Sequence, residues 1–136
     1  MRRMLSAALL ATSLVLAVAQ PAGADPPSEV GPFVDVFEDV DPCTGLVHTV
    51  TIEATFFVHS HDRMVARGER TLSTSSGYEG SGSSSFVLNG RIEMFRSTDI
   101  LTDPSGNRIR ANVLFVLDVP NDAVRVDQFS LTCLGA

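Results

Sequence analysis

The stretch Leu46-Val-His-Thr-Val-Thr-Ile-Glu-Ala-Thr-Phe-Phe-Val58 decides the fold class. Its even positions read Leu46, His48, Val50, Ile52, Ala54, Phe56 and Val58, and its odd positions read Val47, Thr49, Thr51, Glu53, Thr55 and Phe57. Alternation with a period of two, in a run rich in β-branched residues, predicts a half-buried strand rather than a helix. The even face is the predicted core face.

The same period returns further along. From Arg108 to Leu117, Ile109, Ala111, Val113, Phe115 and Leu117 share one face, with Arg108, Arg110 and Asn112 on the other. Turn chemistry separates the runs. Pro42-Cys43-Thr44-Gly45, Asp103-Pro104-Ser105-Gly106-Asn107 and Pro120-Asn121-Asp122 each place Pro, Gly, Asn or Asp where a turn needs them. Asn89-Gly90 between Phe86-Val87-Leu88 and Ile92-Glu93-Met94 predicts a two-residue type I′ hairpin, in which both central residues take φ > 0. Seven strands follow, near 33–40, 46–59, 63–74, 82–88, 91–101, 107–118 and 123–132. The Ser- and Gly-rich stretch 73–85 reads as a mobile hairpin tip running into a weak strand.

Sequential strands joined by short turns predict an all-β domain: an antiparallel barrel of about seven to eight strands, with a β-sandwich as the alternative. Cys43 and Cys133 are the only cysteines and allow one intrachain pairing. That bridge ties the first third of the chain to its last strand, bringing two sheet edges together. A membrane barrel would want aromatic girdles, and a chain with one Tyr and no Trp does not supply them.

The chain begins with Arg2 and Arg3, continues uncharged from Met4 to Ala19, and reaches Ala22-Gly23-Ala24 before Asp25. A basic start, an apolar stretch and a small-x-small site predict a secretory signal peptide over 1–24, cleaved between Ala24 and Asp25. Residues 25–32 then form an extended lead-in and 33–136 a single β domain. The expected location is extracellular, with no membrane span after signal removal. A pair of cysteines fits that oxidising space.

Composition narrows function by exclusion. The 136 residues carry 10 basic groups, all Arg, against 16 acids, a net charge of −6 that becomes −8 once Arg2 and Arg3 are removed. A general nucleic-acid footprint is therefore missing. A hydrophobic share of 44% is too high for intrinsic disorder.

Candidate sites are few. His48 on the apolar face, beside Ile52 and Phe56, forms a candidate apolar-ligand site if the barrel keeps a lumen; a hydrogen-bonded interior histidine is the competing expectation. His59-Ser60-His61 offers two imidazoles to zinc or copper but lacks the third and fourth donors. Asp35, Glu38, Asp39 and Asp41 match no calcium loop and read as edge solvation. Arg91, Arg96, Arg108 and Arg110 lie on expected neighbouring strands, facing Glu93 and Asp99 in cross-strand pairs or forming a small anion-binding patch. The serines at 73–85 lack the strand-to-helix elbow of a hydrolase nucleophile. No catalytic set and no cofactor motif emerge.

Asp41-Pro-Cys-Thr-Gly45 before a long Thr/Val-rich strand, Gly77-Tyr78-Glu79-Gly80 near the middle and Cys133 at the C-terminal edge resemble a group of small exported bacterial β-proteins of unknown function. The strand layout also looks somewhat like the allene oxide cyclase and dirigent barrels. That likeness implies a fold that can hold an apolar ligand and matches no catalytic residue here. Three functions are therefore expected in turn: an extracellular interaction or structural module binding a protein partner, a barrel for a small apolar ligand, and a lyase- or cyclase-like barrel enzyme.

Overall fold

A computed structural model describes residues 26–60 and 64–136. The predicted signal peptide with its Ala24–Asp25 cleavage site, and His61, lie outside the described residues. Seven strands follow one another: β1 (Ser28–Val40), β2 (Val47–Ser60), β3 (Met64–Thr74), β4 (Glu79–Leu88), β5 (Ile92–Thr102), β6 (Arg108–Asp118) and β7 (Ala123–Gly135). Every pairing is antiparallel between sequence neighbours, in the order β1 to β7. The sheet curls into a nearly closed barrel.

The alternation that predicted β2 sets its burial. Val50, Ile52, Ala54, Phe56 and Val58 are buried, and so is the predicted Ile109-to-Leu117 face of β6. Phe56 stands at the centre, meeting the rings of Phe86, Phe95 and Phe115 edge-on at centroid distances of 6.2, 6.1 and 5.6 Å. Its partner in register on β3 is Gly68. A Cβ at Gly68 would lie 2.8 Å from the Phe56 ring, so the ring's place depends on a residue without a side chain.

The two halves, β1–β4 and β5–β7, meet along two unlike seams. Between β4 and β5 the hydrogen-bonded ladder survives at one position only, Glu79 opposite Thr102. Beyond it side chains close the gap. Phe86 stacks on Phe95 at 4.4 Å, and the Arg70 guanidinium of β3 reaches across β4 to the Asp99 carboxylate of β5. The reach passes over Gly82, where a Cβ would fall 2.5 Å from Asp99 Oδ1 and 2.9 Å from Arg70 Nη2. Between β1 and β7 the closure is the Cys43–Cys133 disulfide, with Phe37 set edge-on to Phe129 at 5.0 Å.

Several expectations need correction. The lead-in is extended, but from Ser28 it is strand, paired with β2 through Val58, Phe57 and Phe56. A bulge between Val30 and Phe33 switches the inward face from even to odd positions. Gly31 there has φ +113, a left-handed backbone that favours glycine. Asn89 and Gly90 do not take positive φ, because β4 and β5 diverge and no tight I′ turn is required. Instead the Asn89 N–H donates to Glu93 Oε1, and the Val119 N–H donates to the Arg91 carbonyl. The stretch 73–85 does run into a strand, but β4 starts earlier than expected, at Glu79, and pairs with β3 along its whole length.

Candidate functional site

The predicted ligand trio separates. Ile52 and Phe56 are fully buried and packed by neighbouring rings. Three grooves of about 560, 470 and 380 Å³ lie on the outside of the sheet, and neither residue lines them. His48 is 4% exposed and sits at the end of the barrel, its Nδ1 2.7 Å from Ser76 Oγ. Nε2 is buried without a partner. The expected hydrogen-bonded interior histidine is therefore half satisfied.

Of the His59–His61 pair, His59 is a half-buried residue near the end of β2, and no group of three metal-ligating side chains comes together among the described residues. The acidic stretch does more than solvate an edge. Asp41 is buried, and its Oδ1 accepts the N–H groups of Cys43 and Thr44, fixing the β1–β2 turn that carries the disulfide. Asp35 and Asp39 fall on the inward phase of β1 and are half-buried.

The expected arginine pairs do not form, and strand phase explains why. Glu93 and Asp99 share the inward phase of β5 with Phe95, Ser97 and Leu101, whereas Arg96, Arg108 and Arg110 point outward. Asp99 instead belongs to Arg70, which donates from Nε and Nη2 to its two oxygens, stacks over the Phe95 ring at 5.8 Å and lies near Ser84 Oγ. A guanidinium with both carboxylate oxygens satisfied is the geometry that makes a buried charge tolerable. The Ser97 hydroxyl nearby has no partner among the described residues.

The outer faces of β2–β4 and β5–β7 differ in chemistry, while the outward positions of β1 expose Val34, Val36 and Val40. On β2–β4 the outward positions include Thr51, Glu53 and Thr55, then Glu69 and Thr71, then Glu79, Ser81 and Ser83. Cross-strand neighbours there are hydroxyls and carboxylates, such as Thr71 beside both Glu53 and Ser81. Arg67 supplies one cation, paired with Glu69 at 2.8 Å. On β5–β7 the outward rows run Met94–Val116–Arg125, Arg96–Leu114–Gln128, Thr98–Asn112–Ser130 and Ile100–Arg110–Thr132, with Arg108 beyond. Arg96, Arg108, Arg110 and Arg125 are exposed and form no ion pair among the described residues. Ile92, Met94 and Ile100 are exposed beside them, Met94 by 70%.

One end of the barrel gathers the β1–β2, β3–β4 and β5–β6 turns, as an up-and-down meander requires of alternate hairpins. A pocket of about 300 Å³ opens there between Asp41, His48, Ser76, Tyr78, Asp103 and Asn107. Tyr78 is buried, with its N–H donated to Thr74 Oγ1. Burial, then the charges of Asp41 and Asp103, push its phenol above the ordinary tyrosine range. The Asn107 amide, donating to Asp103 Oδ2, and further backbone N–H groups hold the Asp103 carboxyl below the usual range.

No helix among the described residues is long and apolar enough to cross a membrane. Comparison of the chain with protein-family models, curated proteins and solved structures returns no match.

Proposed function

We propose that this protein is an extracellular interaction module that docks a carboxylate-bearing protein partner on the outer face of β5–β7. The observation behind the reading is the company kept by four arginines that form no ion pair among the described residues. Arg96 shares β5 with exposed Ile92, Met94 and Ile100, Arg110 lies opposite Ile100 and Arg125 stands in the Met94 row, in a chain whose net charge is negative. Arginine mixed with methionine and large aliphatics is the composition of protein interfaces, where guanidinium groups take carboxylates in bidentate pairs. A disulfide persists in oxidising compartments, which agrees with the secretory reading of residues 1–24. Ile52 and Phe56, packed into the core, weigh against a ligand-filled lumen.

The test is photo-cross-linking in the organism that makes the protein. A photoreactive residue replacing Met94 is expected to give one discrete adduct, and the same residue replacing Thr71 on the opposite face none. Arg96→Glu with Arg110→Glu is expected to abolish the adduct while leaving the melting midpoint unchanged. An adduct at 71 and not at 94, or one indifferent to the charge reversal, would overturn the proposal.

A further inference from the structure

The pocket at the end of the barrel is negatively charged and has no cation of its own. Asp41 and Asp103 come to it from two different turns, and no arginine lines it. Asp103 is held ionised by its turn. Asp41 uses Oδ1 for two backbone N–H groups, and no described hydrogen bond reaches its Oδ2. Asp41, Asp103 and Tyr78 line this one pocket together. Tyr78 is 3% exposed, and no hydrogen bond among the described residues reaches its hydroxyl. Leu46 and Val47, both strongly exposed, form an apolar rim.

We infer that this pocket binds a primary alkylammonium group, with Asp41 and Asp103 as its counter-ions, the Tyr78 ring as a wall and Leu46 and Val47 against the alkyl stem. An ammonium has three donors and matches separate acceptors brought by separate turns. A cation near a tyrosine ring gains further from the ring quadrupole. A metal ion is the poorer occupant, since no three metal-ligating side chains converge. A lysine side chain of a partner and a free amine share this chemistry.

Tyr78 is the only tyrosine in a chain without tryptophan, so tyrosine fluorescence reports from the pocket itself. The experiment titrates the full protein with Nα-acetyl-lysine methylamide, with its Nε-acetylated form, and with 1,5-diaminopentane. A saturable change is expected with at least one of the amines, weakened about tenfold or more when the ammonium is acetylated, as for a lost charged hydrogen bond. Response to the lysine compound alone assigns a protein partner, and response to the diamine alone a free amine. Asp41→Asn keeps the Oδ1 that accepts its turn's N–H groups, Asp103→Asn keeps one of the two oxygens that accept from Asn107, both remove the charge, and each is expected to weaken binding about tenfold. Absence of a saturable change with both amines, or an equal response to the acetylated form, overturns the inference without recourse to variants. Unchanged affinity in both variants at wild-type melting midpoints overturns it too.

Discussion

The two halves of the sheet are alike inside and unlike outside. Inward, β1–β4 supplies Phe56, Ile52 and Phe86 while β5–β7 supplies Phe95, Phe115 and Leu101, and the rings meet in one cluster. Outward, β2–β4 shows mainly hydroxyls and carboxylates, β1 exposes Val34, Val36 and Val40 between its acids, and β5–β7 shows arginines among exposed aliphatics. In a strand of period two, one set of positions is committed to folding and the other is left to carry chemistry. Inner faces must match to fill one core. Outer faces need not.

What joins the halves is therefore the place to break them. The largest effect belongs to the Arg70–Asp99 pair. Asp99→Ala leaves a buried guanidinium without its carboxylate and should cost about 3–5 kcal/mol in denaturant unfolding. Replacing both partners together, Arg70→Met with Asp99→Leu, should recover most of that loss. A double variant as unstable as the single would show that the seam needs the charge and not merely the filling. On the opposite seam, Cys133→Ser should lower the unfolding free energy by about 2–4 kcal/mol. An unchanged midpoint with and without reductant would mean that Phe37 on Phe129 closes that edge unaided.

Gly82→Ala is a finer probe of how the halves fit. The new methyl falls against the two atoms of a locked ion pair rather than against side chains free to move. Overpacking of that kind costs about 1–3 kcal/mol, read from the same unfolding curves. A stability equal to wild type would mean that the pair shifts without loss.

The pH dependence tests the pocket end of the barrel. Tyr78 titrates higher folded than unfolded, so in alkali the unfolded chain loses its phenolic proton first. Stability that is complete below the unfolded value of 10.0 is then lost as pH rises toward the folded one. Tyr78→Phe should flatten that alkaline limb of the midpoint-versus-pH curve; an identical limb in the variant would assign it to other groups.

Much of this fold is legible in the sequence, because alternation and turn residues are local signals. The core faces of β2 and β6 follow directly from them. The seam was missed although its signal is present. Arg70 is in phase with inward Ala66 and Leu72, and Asp99 with inward Phe95 and Leu101, so two opposite charges stand at core positions of non-adjacent strands. Reading each strand alone makes them surface residues. Reading the phases together makes them a pair. The Asn89-Gly90 turn differs for the converse reason: its dipeptide signal is local, while β4 and β5 share a ladder at one position only, far from that turn. The pocket needed one further step. Its turns were recognised, but their gathering at one end depends on the up-and-down order of all seven strands.

The central claim is that the interior is filled and recognition belongs to the outside. The most direct measurement is the NMR signal of the Ile52 methyls and the Phe56 ring during titration with a small apolar ligand such as benzene. A filled core predicts that these signals stay in place across the titration while the protein remains folded. A saturable shift of both, at one ligand per chain, would contradict the account and return function to the barrel's interior.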